Sequence, residues 1–167
     1  SEAVARANKV MLYKTAKYSL EAPLLIGAAL GGAHESELKS LSNFGIPLGL
    51  AFQLRDDILG VFGDPQVTGK PAGDDLREGK TTLPLIAAMQ RGTDAERATI
   101  QTAIETGDIS MLDAVVAIVH KTGALDIAKA SARSEAERAS AAAKQLPVNA
   151  HSACLVSLAS QLLERNH

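Results

Sequence analysis

The chain has 167 residues, of which 46% are hydrophobic and 3% aromatic, and its formal net charge is −2 at pH 7. The near-neutral charge gives no reason to expect binding to nucleic acid or to an anionic membrane. The single cysteine, Cys154, excludes an internal disulfide framework and fits a reducing cytoplasm. The length suits one domain, and a composition rich in alanine and leucine favours helix-on-helix packing over a β-sandwich. We therefore expect one all-α domain over residues 1–167.

Helical patterns follow one another along the chain, and no strand pattern is evident. The first helix is predicted from residue 2 to about residue 21, and Pro23 kinks it or restarts it. Because a helical pattern begins directly at the terminus, we expect the chain to be a piece of a longer protein. The next helix is predicted over residues 37–62, with Ser36 as its cap, and the G-D-P that follows stops it.

Capping and turn signals predict the remaining helices. Thr81 or Thr82 can cap a helix that has Pro84 in its first turn and ends near residue 91. Ser110 is expected to cap a later helix as part of a near capping box. The later helices are predicted at roughly 94–105, 110–122, 125–145 and 149–165. No apolar run is long enough to cross a membrane, so we expect no stable membrane insertion.

Two adjacent acids, Asp56 and Asp57, lie in an apolar part of the helix predicted over residues 37–62. The apolar residues around them are too dense for a helix with one exposed face, so we expect protein to surround this helix. A buried charge is costly unless something pairs with it. Gln53 lies three and four residues earlier and can share the face of the two acids. Oxygen donors on one face suit Mg²⁺, which also takes water and substrate phosphates as ligands.

A simpler alternative is a buried ion pair between Arg55 and Asp56 that has no chemical role. The loop that follows argues against it, because its glycines permit close approach of the backbone to a ligand. The same loop carries Lys70 and Lys80, and lysines neutralise phosphate as point charges. Acids, a metal and lysines together indicate diphosphate chemistry.

The run L-G-L-A-F-Q-L-R-D-D-I-L-G, residues 48–60, resembles the second aspartate-rich motif of the trans-type isoprenyl diphosphate synthases. The segments F-G-D-P, T-G-K-P-A-G-D-D-L and E-G-K-T-T-L-P are similar to the bacterial branch of this family of farnesyl and geranylgeranyl diphosphate synthases. Upstream, K-T-A-K-Y-S at residues 14–19 is similar to the K-T motif of the family. Where many members have D-D-x-x-D, this chain has Gly60. The resemblance covers roughly the whole chain. The family's first D-D-x-x-D motif does not occur between residues 1 and 44, so the chain resembles only the carboxyl-terminal half of the family's fold.

The resemblance implies an all-α helical barrel around a central cavity, and it implies roles for individual residues. Asp56 and Asp57 would hold Mg²⁺, with Asp56 the stronger candidate for direct ligation, and Asp75 would lie close to the metal. Gln53 would orient the substrate. The residues that would hold the departing diphosphate are Lys14, Thr15, Lys70 and Lys80. The residues assigned to catalysis are Lys14, Thr15, Gln53 and Asp56.

The implied reaction joins an allylic diphosphate to isopentenyl diphosphate through an Mg²⁺-assisted allylic cation and makes a trans-polyprenyl diphosphate five carbons longer. We expect a cytoplasmic homodimer, and we expect this chain to be inactive without the missing first motif. An alternative is a non-catalytic helical interaction subunit derived from such an enzyme. A third possibility is a terpene cyclase or hydrolase. Such enzymes usually carry an N-S-E-like triad, whereas this chain has D-D preceded by Gln53, so the motif argues against this possibility.

Overall fold

The computed structural model describes residues 2–63, 71–147 and 149–164. All regular secondary structure in these ranges is helical, which confirms the all-α prediction. We number the α-helices in chain order. They are α1 Glu2–Val10, α2 Ala22–Leu30, α3 Glu35–Phe62, α4 Asp74–Arg77, α5 Leu83–Arg91, α6 Asp94–Thr106, α7 Leu112–Lys121, α8 Ala124–Ala143 and α9 Ala150–Glu164. A π-helical segment, Met11–Glu21, joins α1 to α2, and a 3₁₀ turn, Ile109–Met111, precedes α7.

The predicted first helix is right in extent, but its second half has the wider π geometry. The N–H of Ala22 donates to the carbonyl of Lys17, five residues back, which is the bond that defines a π-helix. Pro23 lies in the first turn of α2, where the π-helical segment gives way to α-helix. The α-helical geometry thus begins beside Pro23, while the backbone stays helical through Glu21 and Ala22.

Helix α3 is 28 residues long and includes Pro47. It ends at Phe62 as predicted, but it begins at Glu35, so Ser36 lies inside the helix and the prediction that Ser36 caps it is wrong. The backbone N–H of His34 donates to Glu37 Oε2 at 2.8 Å. Glu37 is the third residue of the helix, and its side chain here satisfies the N–H of the residue that precedes the helix, as the glutamate of a capping box does.

Two other predicted caps are wrong although their helices are present. Asp108 accepts from the backbone N–H of Ser110 at 2.9 Å, so Asp108 begins the 3₁₀ turn and Ser110 lies within it. Thr82 precedes α5, but its side chain makes no capping hydrogen bond. Helix α6 has a full capping box instead, in which Thr93 and Glu96 each accept from the other's backbone N–H.

The described chain divides into two compact units. The first contains residues 2–7, 54–63 and 71–130, and its core includes Val61, Leu76, Leu85, Ile100, Val115 and Val119. The second contains residues 8–53, 131–147 and 149–164, and its core includes Phe44, Leu48, Ala139, Leu146 and Ala159. The division falls within α3, between Gln53 and Leu54. A single domain over residues 1–167 stays a prediction. Among the described helices, none combines the length and the apolar character that a membrane crossing requires.

Candidate functional site

The last two turns of α3 carry the acid pair of the first unit. Asp57 is only 8% exposed, and Asp56 is half-buried. The backbone N–H of Leu83, the first residue of α5, donates a long hydrogen bond of 3.5 Å to Asp57 Oδ2. A helix N-terminus carries unpaired N–H donors and a partial positive charge, so it stabilises a carboxylate at this place.

Asp75 and Lys80 form an ion pair beside the last turn of α3. Asp75, in the first turn of α4, is 6% exposed, and its Oδ1 lies 2.8 Å from Lys80 Nζ. Lys80 Nζ also lies 2.7 Å from Glu78 Oε2. The hydrogen bonds to Asp75 and then to Glu78 raise the pKa of Lys80 well above its usual value. The lysine therefore keeps its positive charge across the physiological pH range.

Two glycines of this region, Gly60 and Gly73, lie where a side chain would collide with a neighbouring residue. Gly73 precedes α4 with a left-handed φ of 74°, and a Cβ there would lie 2.7 Å from Ile109 Cδ1. At Gly60, on α3, a Cβ would lie 2.0 Å from Asp75 Oδ2. The absence of a side chain at residue 60 therefore lets the Asp75 carboxylate reach the backbone of α3.

A second pair of predicted residues meets in the second unit. Thr15 is 7% exposed, and its hydroxyl donates to Gln53 Oε1 at 2.5 Å. This bond depends on a close approach of backbones, because a Cβ on Gly49 would lie 2.4 Å from Ala16 Cα. The π-helical segment and α3 thus pack at a distance that only glycine permits at residue 49.

Two other predicted site residues, Lys14 and Lys70, are not brought together with these groups in the part of the chain that the structure describes. Lys14 is exposed on the π-helical segment, and Lys70 lies outside the described residues. Two residues of this region were not among the predicted site residues. Glu78 shares Lys80 with Asp75, and Gly60 leaves room for the Asp75 carboxylate. The acid in E-G-K, two residues before Lys80, is the sequence signal that could have identified Glu78.

The acids of α3 and α4 fit a magnesium ion as hard oxygen donors. Buried carboxylates such as those of Asp57 and Asp75 need compensation by a cation or by hydrogen bonds. In residues 2–63, 71–147 and 149–164, no group of three or more His, Cys, Asp or Glu side chains is arranged to hold a metal by itself. Mg²⁺ commonly takes one or two carboxylates and completes its shell with water and phosphate oxygens. The donor set suits that kind of site and not a closed protein cage.

A family model described as polyprenyl synthetase matches residues 2–121. The chain belongs to the polyprenyl synthetase family. This assignment confirms the resemblance that the motifs of residues 14–19 and 48–60 indicated.

Individual members of the polyprenyl synthetase family match most of the chain. It is 39% identical over 160 residues to octaprenyl diphosphate synthase of Haemophilus influenzae, covering 95% of the chain and 48% of that protein. It is 43% identical over 139 residues to all-trans-nonaprenyl-diphosphate synthase (geranyl-diphosphate specific) of Rhodobacter capsulatus, covering 83% of the chain and 43% of that protein. The chain thus spans about half the length of the curated relatives it matches.

A solved structure extends the comparison to the fold. Geranylgeranyl pyrophosphate synthase from Corynebacterium glutamicum, complexed with isoprenyl diphosphate and magnesium, superposes with a TM-score of 0.87 at 35% sequence identity. The match covers 96% of this chain and 46% of that one. The helices of the chain therefore form about half of an isoprenoid synthase fold, as the sequence predicted.

Proposed function

We propose that the complete protein is a prenyltransferase that condenses an allylic diphosphate with isopentenyl diphosphate. The new carbon–carbon bond replaces the bond between the allylic carbon and its diphosphate, which leaves, and loss of a proton then gives a longer trans-polyprenyl diphosphate. The observation that carries the proposal is the group of Asp57, Asp75 and Lys80, in which two buried carboxylates and a charged lysine lie around the end of α3. A site for a metal-bound diphosphate needs both kinds of charge, because the acids hold the metal and the lysine faces the phosphate.

Mg²⁺, when bound, would supply positive charge that stabilises the departing diphosphate. Asp56 and Asp57 would hold this ion, and Asp75 would complete the acidic side of the site. Lys14, Thr15, Lys70 and Lys80 would bind the diphosphate oxygens. Because carboxylates hold Lys80 protonated, it would offer a permanent charge to the leaving group.

Gln53 would orient the substrate, and Thr15 would fix the orientation of its amide. A hydroxyl that donates to Gln53 Oε1 defines which end of the amide is the oxygen. This positioning fits a reaction in which most of the catalytic effect comes from charge stabilisation and geometry.

The proposal includes a homodimer in the cytoplasm. Ile26 and Leu30, on α2, are 61% and 85% exposed, and apolar surface of this kind is usually covered by protein. A second copy and the remainder of a longer protein are both able to provide that cover. The single Cys154 is compatible with a reducing compartment.

An extension assay with labelled isopentenyl diphosphate and allylic diphosphates of several lengths tests the proposal. We expect the complete protein to make longer polyprenyl diphosphates, to stop when the metal is chelated and to recover with added Mg²⁺. We expect the 167-residue chain by itself to be inactive. Lys80→Ala tests the lysine, and Lys129→Ala, which changes an exposed lysine on α8, is the matched control. A complete protein that extends none of the allylic diphosphates would refute the proposal.

A further inference from the structure

Gly60 is a glycine that the backbone does not require. It lies in the last turn of α3, and it is not among the described glycines with positive φ. Glycine inside a helix is less stable than alanine, since it loses more conformational freedom on folding. Some other feature of the structure must therefore account for glycine at this position.

The space beside Gly60 is filled by the carboxylate of Asp75. A Cβ on residue 60 would lie 2.0 Å from Asp75 Oδ2 and 2.5 Å from its Cγ, far closer than real Cβ contacts. The other oxygen of this carboxylate, Oδ1, accepts from Lys80 at 2.8 Å. Asp75 is also 6% exposed, so its short side chain has little room to turn elsewhere.

Residue 60 lies on the same face of α3 as Asp56 and Asp57, so the contact between Gly60 and Asp75 is close to these two acids. Residue 60 follows Asp56 by four residues and Asp57 by three, and residues at these spacings share a helix face. The carboxylate that lies against Gly60 is therefore on the acidic face of α3, although it belongs to α4.

We propose that Gly60 is a positioning residue that admits the Asp75 carboxylate to the Asp56–Asp57 face of α3. A third acid then reaches that face from α4, and Lys80 holds it there. The functional part of this inference, that the third acid supports binding of metal and diphosphate, rests on the proposed function. The geometric part does not.

A cycle of alanine substitutions measured without metal tests the geometric part. We expect Gly60→Ala to lower the thermal unfolding midpoint when Asp75 is present, because the new Cβ displaces the carboxylate. In the Asp75→Ala background we expect the same substitution to raise the midpoint, because only the helix-forming advantage of alanine remains. Gly27→Ala, at a helical glycine with nothing within 4 Å of an added Cβ, is the matched control and should act alike in both backgrounds. The same sign for Gly60→Ala in both backgrounds would overturn the proposal.

Titration of the complete protein with Mg²⁺ and inorganic pyrophosphate tests the functional part. We expect the wild type to bind pyrophosphate in an Mg²⁺-dependent way, and Gly60→Ala and Asp75→Asn to need about tenfold more Mg²⁺, the change that loss of one charge-assisted contact typically produces. Wild-type protein that binds no pyrophosphate with Mg²⁺ would count against the proposed function, whatever the substitution cycle shows. Normal wild-type binding with an unchanged Mg²⁺ requirement in both variants would overturn this inference alone.

Discussion

Replacing Gly49 by alanine should separate two backbones that now touch. A Cβ at residue 49 would lie 2.4 Å from Ala16 Cα, 3.0 Å from its Cβ and 3.2 Å from its N. Because two of these atoms belong to the backbone, no side-chain rotation relieves the contact. The π-helical segment must move away from α3 by about 1 Å, the difference between 2.4 Å and an ordinary contact of roughly 3.4 Å.

The expected cost follows from this overpacking. Forced shifts of this kind destabilise a protein by roughly 1–3 kcal/mol. A cost of about 2 kcal/mol corresponds to a Tm lower by about 4–8 °C in a chain of this size. A shift of about 1 Å also lengthens the bond between Thr15 and Gln53 from 2.5 Å to beyond the usual hydrogen-bonding range. In the complete protein we therefore expect a higher KM for the allylic diphosphate.

Thermal unfolding of Gly49→Ala beside Gly27→Ala measures this effect. An added Cβ at Gly27 meets nothing within 4 Å, so that variant should keep the wild-type Tm or exceed it slightly. Ala16→Gly should not rescue Gly49→Ala, because the contact at 2.4 Å is with Ala16 Cα, which glycine retains. If Gly49→Ala were as stable as Gly27→Ala, the close packing at residue 49 would be refuted.

Three further predictions concern single side chains. Lys80→Ala should lower kcat/KM of the complete protein about 10–100-fold, since a charge-assisted contact contributes about 1.5–3 kcal/mol. Lys129→Ala should leave kcat/KM within about twofold. Equal losses in the two variants would show a general effect of removing a lysine. Thr15→Val should raise KM for the allylic diphosphate, whereas Thr15→Ser, which keeps the hydroxyl, should have a KM near that of the wild type. Steady-state kinetics of the two variants measures this difference, and a KM raised equally in both would indicate that Thr15 acts only through its shape. Lys121 and the Thr93 cap lower the pKa of Glu96 to about 2, so Glu96 stabilises the fold above its ordinary pKa and loses this contribution as the pH falls towards 2. Glu96→Gln should accordingly reduce Tm at about pH 7 and have no effect near pH 2, and a Tm difference that does not change with pH would contradict the assignment.

The sequence predicted the parts of the structure that depend on local spacing. Asp56, Asp57 and Gln53 are within four residues on one helix, and helical periodicity alone places them on a common face. The motif resemblance added Thr15 and Asp75, which are distant along the chain from these residues. In the structure Thr15 donates to Gln53 and Lys80 donates to Asp75. The roles towards metal and diphosphate that the resemblance implies for these residues stay predictions.

Features that depend on tertiary contact or on competing local bonds could not be predicted. Gly60 on α3 contacts Asp75 on α4, which lies fifteen residues later in the chain, and no periodic pattern encodes this contact. Asp108 and Ser110 are both good capping residues, and the spacing of the sequence does not decide between them. In the structure Asp108 accepts from the backbone N–H of Ser110 and begins the 3₁₀ turn. The π geometry of residues 11–21 buries Met11, Thr15, Ala16 and Glu21. Two of these four are polar, so the apolar pattern of the sequence does not mark this wider spacing.

Titration calorimetry of the complete protein with a non-reactive allylic diphosphate analogue, with and without Mg²⁺, tests most directly whether the acids of α3 form the diphosphate site. The wild type should bind the analogue tightly only with Mg²⁺, and the Asp56→Ala, Asp57→Ala double variant should lose the Mg²⁺-dependent part. A control with Asp126→Ala, an exposed acid on α8, should bind as the wild type does. Mg²⁺-dependent binding of equal strength in the double variant would contradict the account.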